Sequence, residues 1–208
     1  MRVAIVLDHP YTFSSAANVP HERSFTAAVT AAAIRGLERA GHQADLIDLA
    51  ADQFNPVMTR ADLVAWRRQQ AVDSQVLDYQ ARVAAADYLV FAFPIWWESM
   101  PAPTKGFLDK VLTREFAFRE LKNAKGNPFV NLLSRLRGVT LLTVMTTPHQ
   151  AYRWWYRDPV TKILFKGTFD KIGVKNLKWR NYASVTELTA EQRQAMLDAT
   201  EQHFARLT

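Results

Sequence analysis

Short unbroken apolar runs alternate along this chain with longer stretches in which apolar positions recur every three or four residues. Val3-Ala4-Ile5-Val6-Leu7 is apolar throughout, as in a strand buried on both faces. Phe25, Val29, Ala32, Gly36 and Ala40 then keep a helical period, with Ser24 as cap and Gly41 as stop. Ala44 to Leu49 alternates as a second strand, residues 60–86 read as helical, and Asp87 to Phe93 forms a third strand ended by Pro94. Pro101 and Pro103 suit the first turn of a helix that carries Phe107, Leu108, Val111 and Leu112 on one face. Residues 113–137 show no regular period. Gly138 to Thr147 predicts a fourth strand and Asn176 to Val185 a fifth. Thr189, followed by Glu191 and Gln192, opens a closing helix through Leu197 and Phe204.

Alternation of this kind builds an α/β fold, a parallel sheet with helices on both faces. Five strands in 208 residues point to a doubly wound, flavodoxin-like sheet of order 2-1-3-4-5. No repeat, low-complexity tract or Pro/Gly/Ser-rich linker interrupts the pattern, so residues 1–208 are expected to form a single domain. Open parallel sheets bind ligands beyond the carboxyl ends of their strands, near the point where strand order reverses. Here that means the segments after Leu7, after Phe93 and after Thr147.

Composition narrows the chemistry. The absence of cysteine excludes disulfides, thiolate metal sites, iron–sulfur clusters and cysteine nucleophiles, and it suits a reducing cytosol. None of the seven glycines falls into a GxGxxG or GxxxxGK[ST] pattern, and GxSxG is absent too. His21-Glu22 lacks a second histidine at zincin spacing, so no metal site is expected. The opening strand reaches Asp8 too early for a signal peptide. The apolar run from Tyr88 to Trp97 is too short to span a bilayer, and a cytoplasmic protein is the expectation.

Charge is uneven: residues 1–100 carry 8 basic and 11 acidic side chains, residues 101–208 carry 18 and 9. Eight of the bases lie between Arg153 and Arg180. Such a stretch suits a phosphorylated small molecule, an anionic membrane or a nucleic acid, and equally a solvated face. No helix-turn-helix or aromatic RNA-binding motif accompanies it, so nucleic acid is not an expected partner.

Each candidate loop carries its own chemistry. His9 to Arg23 is long for a strand-to-helix connection and holds Thr12, Ser14, Ser15, Asn18 and His21 before the helix at Ser24. Unpaired amides and a hydroxyl at that helix start suit a phosphate, although Ser24 is also an ordinary cap. Phe93-Pro94-Ile95-Trp96-Trp97-Glu98-Ser99-Met100-Pro101 places two tryptophans between prolines. That stiff segment could direct its amides at a planar heterocycle, or cover the sheet end or a dimer seam. Thr146-Thr147-Pro148-His149 adds two hydroxyls and an imidazole, the latter suited to negative charge on a reduced cofactor or to the surface.

Taken together, Phe93 to Val111 (Phe-Pro-Ile-Trp-Trp-x-x-Met-Pro-Ala-x-x-Lys-Gly-Phe-x-Asp-Lys-Val) resembles the NAD(P)H:quinone reductase branch of the flavodoxin-like superfamily. That branch includes the modulator-of-drug-activity and potassium-efflux ancillary reductases. Supporting pieces follow in order: His9 after the first strand, Arg23-Ser24-Phe25, Phe54-Asn55-Pro56, Glu115-Phe116-Ala117-Phe118 and Thr146-Thr147. The resemblance implies a bound flavin, FAD with FMN as the alternative, and ping-pong hydride transfer from NAD(P)H to a quinone-like acceptor. It implies that His9, Ser24, Phe25 and Thr26 hold the phosphates. Pro94, Ile95, Trp96, Trp97 and Glu98 would lie along the isoalloxazine edge, and Thr146, Thr147 and His149 would face the pyrimidine end. Asp109 would sit near an adenine. Phe118 would cover the partner's pocket in a homodimer with shared active sites, and Trp97 would line the substrate pocket with it.

Proton movement would fall to His149 and to Tyr152, with Tyr156 as a neighbouring candidate. Pro148 and His149 stand where relatives often have two glycines, so one backbone donor is missing; Glu98 replaces a small residue. Arg153 and Arg157 would favour the 2′-phosphate of NADPH. Alternative readings keep the fold and change the role: an azo- or nitroreductase, or a flavin-binding regulatory subunit reaching a membrane only through a transporter partner.

Overall fold

The computed structural model describes residues 1–17, 21–71 and 73–208. Five strands, β1 (Arg2–Leu7), β2 (Gln43–Asp48), β3 (Tyr88–Pro94), β6 (Gly138–Val144) and β7 (Asn176–Tyr182), form a parallel sheet in the order β2-β1-β3-β6-β7. Counting main-sheet strands alone, this is the expected flavodoxin-like 2-1-3-4-5. The extra numbers come from a small antiparallel hairpin, β4 (Phe118–Glu120) with β5 (Phe129–Asn131), inside the stretch that showed no period.

Side-chain alternation on β1 divides the core. Val3, Ile5 and Leu7 pack with Val29, Ala33 and Leu37 of α1 (Phe25–Arg39) and with Phe204 of α7 (Ala190–Phe204). Ala4 and Val6 face the other layer, where Tyr79 of α3 (Ser74–Ala85) and Phe107 of α4 (Ala102–Val111) meet Phe91 and Phe169. Gly36 is required where α1 crosses α7, because a Cβ there would lie 2.3 Å from the Glu201 carbonyl oxygen. Gly106 likewise lets α4 approach the Pro56 backbone.

Two expectations needed correction. Residues 60–86 form two helices, α2 (Arg60–Arg67) and α3, because Gln69 turns left-handed (φ 60°) and Asp73 restarts the helix by accepting from the Gln75 amide at 2.9 Å. The fourth and fifth strands also stop short, at Val144 and Tyr182, and the freed segments bend over the carboxyl edge. There α5 (His149–Trp154) follows β6, and α6 (Pro159–Thr161) runs into a π-helical turn over Lys162–Asp170. No helix among the described residues is long and apolar enough to cross a membrane.

Candidate active site

The switch point lies between β1 and β3, and Asp8, at the end of β1, joins them. The N-cap of α4 is Pro101, which has no side chain to offer its orphan amides. Asp8 supplies the cap instead: its Oδ2 accepts from the Thr104 amide at 2.7 Å and from the Thr104 hydroxyl at 2.6 Å. Burial pushes the Asp8 carboxyl above its ordinary range despite those bonds, and the Asp48 charge adds to the rise. Asp48, ending β2, accepts from the Phe13 amide at 2.6 Å and so fastens the first loop down.

His9 leaves β1 with its Nδ1 accepting from the Tyr11 amide at 3.1 Å, and burial lowers its pKa, keeping the ring neutral near pH 7. Its ring stands 6.5 Å from that of Trp96, which brings the first and second loops together. At the start of α1, the Ser24 hydroxyl accepts from the Ala27 amide at 3.1 Å. The amides of Phe25 and Thr26 have no partner among the described residues. Thr26 itself is buried. Asn18 lies outside the described residues.

The second loop is a reverse turn. Trp96 and Ser99 exchange backbone hydrogen bonds of 3.0 Å in both directions, with Trp97 (φ 48°) and Glu98 (φ 59°) both left-handed between them. Two consecutive left-handed positions are the mark of a type I′ turn, ordinarily made with glycine or asparagine. Trp and Glu each hold that conformation at a cost of about 1–2 kcal/mol. The Ile95 amide is spent on the Val144 carbonyl at 2.8 Å and the Trp96 amide on Ser99, while those of Trp97 and Glu98 have no partner among the described residues. Pro94 and Ile95 are buried, and the Trp97 side chain is fully exposed.

Tyr152 holds this turn in place. Its hydroxyl donates to the Glu98 carbonyl at 3.1 Å and accepts from the Val160 amide at 3.2 Å. Burial pushes its pKa up to about 12. Proton transfer is the role the resemblance implies for Tyr152; in this structure its hydroxyl is occupied by the turn and by the start of α6. The ring is wholly buried and the hydroxyl is engaged on both sides, so the residue is a structural pin; Tyr156 next to it is exposed.

In the third loop, the exposed Thr146 precedes Thr147, whose hydroxyl donates to Glu98 Oε1 at 3.1 Å. The other oxygen, Glu98 Oε2, is buried without a partner among the described residues. His149 turns toward β7: its Nδ1 lies 3.0 Å from Asn181 Nδ2, and its ring centroid lies 5.2 Å from that of Trp179. The structure therefore gathers His9, the start of α1, Trp96 to Glu98, Thr146, Thr147 and His149 around one edge of the sheet.

Asp109 and Phe118 belong to a different place. They line a cavity of about 510 Å3 between α4, the β4–β5 hairpin and the π-helical turn, with no lining residue from the three loops. There Lys105 Nζ meets the Asp109 carboxylate at 2.6 Å. Arg153 and Arg157 are exposed, with Trp154 and Trp155 beside them. Sequence reasoning missed Asp8, Asp48 and Asn181. The one local signal was Asp8 itself, an acid directly following a run of buried apolar residues.

The chain belongs to the family described as having a flavodoxin-like fold, which matches residues 1–205. The resemblance to the NAD(P)H:quinone oxidoreductases holds among its relatives. The ribosyldihydronicotinamide dehydrogenase [quinone] of Pongo abelii is 32% identical over 112 residues, which is 46% of this chain and 48% of that protein. The chain spans about half the length of the curated relatives it matches. Among solved structures, Smu.1420 from Streptococcus mutans UA159 superposes over 100% of both chains with TM-score 0.81 and 26% identity. The NAD(P)H:quinone oxidoreductase from Methanothermobacter marburgensis shares the fold with TM-score 0.82 and 21% identity, covering 100% of this chain and 99% of its own.

Proposed function

We propose that the protein is a flavin-dependent NAD(P)H:quinone oxidoreductase acting as a homodimer on quinones or similar planar acceptors. One observation carries the reading: unpaired donors and a buried unpaired acceptor converge on the same sheet edge. The donors are the amides of Phe25, Thr26, Trp97 and Glu98, and the acceptor is Glu98 Oε2. A flavin has the complementary groups, namely a phosphate, ring carbonyls and a ring N–H, so the residues present fit it. When bound, a flavin supplies two-electron hydride chemistry, which lets NAD(P)H and the acceptor use one pocket in turn.

The chain's own part is to bind and orient. The Phe25 and Thr26 amides, at the positive end of α1, would hold the phosphate, with His9 on the same sheet edge beside Trp96. Asp8 and Asp48 fasten the loops that carry these groups. Tyr152 keeps the Trp97 and Glu98 amides presented, and the exposed Trp97 and Trp96 supply aromatic surface for a planar substrate. FAD is the proposed cofactor, with FMN as the alternative. Phe118 and the apolar cavity around it suit a partner subunit, so that each site would be completed across the dimer. The exposed Arg153 and Arg157 would favour NADPH through its 2′-phosphate.

The test is the visible spectrum of the purified protein, followed by anaerobic NADPH and then a benzoquinone. Flavin bands that bleach with NADPH and return with quinone are expected, and chromatography of the released cofactor distinguishes FAD from FMN. A colourless protein that neither flavin reconstitutes overturns the reading.

A further inference from the structure

We infer that Thr143 and Asn181 are positioning residues that hold His149 in one neutral tautomer, with the proton on Nε2 and a lone pair on Nδ1. Hydrogen-bond direction can be followed from β7 to the third loop. It begins at Trp179, whose indole Nε1 is a donor and nothing else. It meets Thr143 Oγ1 at 2.7 Å, so the threonine oxygen accepts there. Thr143 is fully buried, and its single proton goes to Asn181 Oδ1 at 2.8 Å.

That bond fixes which end of the Asn181 amide is oxygen. The nitrogen then faces two groups, the Met145 thioether sulfur at 3.7 Å and His149 Nδ1 at 3.0 Å. A thioether sulfur can accept but not donate. Rotating the amide by half a turn would set its oxygen against that sulfur and leave the Thr143 proton facing an N–H group. Both neighbours therefore select the same orientation. An amide nitrogen donates, so His149 Nδ1 must accept, and a neutral imidazole then carries its proton on Nε2. Contact with the Trp179 ring holds the imidazole plane.

His149 is half-buried, and its Nε2 has no partner among the described residues. The arrangement thus offers one oriented donor to an oxygen acceptor, of the kind a ring carbonyl supplies. Assigning that acceptor to a flavin or a quinone rests on the reductase reading. The tautomer does not.

The experiment is a long-range proton–nitrogen NMR spectrum of the ¹⁵N-histidine-labelled protein as purified, at about pH 8, above the ordinary imidazole pKa of ~6.5. His149→Gln assigns the signal. The expected spectrum has an unprotonated Nδ1 and a protonated Nε2. Asn181→Asp, which replaces the donor with an acceptor of the same shape, is expected to bring a proton to Nδ1 and to weaken flavin binding roughly tenfold. A wild-type ring that is protonated on Nδ1 or averaged between tautomers overturns the relay, without reference to any variant's folding. So does a folded Asn181→Asp protein with an unchanged His149 spectrum. A protein that stays colourless after addition of either flavin, yet shows the expected spectrum, overturns the flavin reading while supporting the relay.

Discussion

At the amino edge of the sheet, acids and bases are matched to one another. Asp45 accepts from Arg2 at 2.7 Å and from Arg82 Nε at 3.1 Å, while Asp87 accepts from the Arg2 amide at 2.8 Å and from Arg135 at 2.9 Å. At the carboxyl edge, among the described residues, Asp8 is buried without a base and Glu98 Oε2 has no donor, and two left-handed non-glycine residues form a turn. The contrast separates two uses of polar groups. At the amino edge both carboxylates are paired, although Arg2 Nε is buried without a partner among the described residues; at the carboxyl edge it is an acceptor that is left open, as the proposed ligand site requires.

The amino edge should show the largest effect when broken. Burial pushes Asp45 up, but hydrogen bonds and charge from Arg82 and Arg2 outweigh it and hold the carboxyl below its ordinary 3.8. A depressed folded pKa stabilises the protein above that ordinary value, and the stabilisation is lost as pH falls through the folded pKa. Arg82→Met leaves Asp45 largely buried with one base. It is expected to cost about 2–3 kcal/mol in urea unfolding at pH 7, with the deficit shrinking near pH 3. A deficit that stays constant across that range would mean that lost packing by the arginine stem, not charge, holds this edge.

At the carboxyl edge the corresponding break is Tyr152→Phe, which removes both hydrogen bonds of the pin without emptying the core. A loss of about 1–2 kcal/mol is expected. Faster hydrogen exchange should accompany it at the Trp96 and Ser99 amides, whose turn the tyrosine holds. Unchanged exchange there would show that the turn stands without Tyr152.

What the sequence made legible follows from the same division. The buried run of β1, the Ser24 cap of α1 and the strand ending at Pro94 are local patterns, and each forms where the pattern put it. The three carboxyl-edge loops followed from strand order alone. The hairpin was hidden because strands of three residues, 118–120 and 129–131, are too short for alternation to register. The break between α2 and α3 falls at Gln69, a residue that does not announce a left-handed turn. Hidden most deeply were the side-chain links across the edge. Asp8 reaches Thr104, Tyr152 reaches Glu98 and Asn181 reaches His149 over 96, 54 and 32 positions of sequence. No periodicity carries contacts of that range; parallel register and loop geometry create them.

A smaller effect, of opposite sign, should come from Asp8→Asn. Desolvation raises the Asp8 pKa, so the folded state favours the protonated form. A raised carboxyl contributes stability below its ordinary 3.8 and loses it as pH climbs through the folded pKa, which makes the ionised form a burden at neutrality. Asparagine keeps an oxygen for the Thr104 amide and hydroxyl and removes the charge. A gain of about 1 kcal/mol at pH 7 that vanishes near pH 3 is expected from denaturant midpoints at the two pH values. A loss at pH 7 would mean that the charge itself, acting on the start of α4, is what matters.

The smallest effect bears on why a tryptophan occupies a glycine's place. The Trp97 side chain is fully exposed, so truncating it gives up no buried area in the isolated chain, and glycine adopts φ 48° freely. Against that relief stands the greater freedom of glycine in the unfolded chain. Trp97→Gly should therefore raise stability by about 0.5 kcal/mol in urea unfolding of dilute protein. If the indole serves as a planar surface for substrate, the same variant should raise the KM for a quinone severalfold while leaving bound flavin in place. A variant destabilised in proportion to protein concentration would place the indole in a subunit interface instead. Either outcome would give the strain at the turn a cause outside the isolated chain; a variant that changes neither KM nor concentration dependence would leave the indole without one.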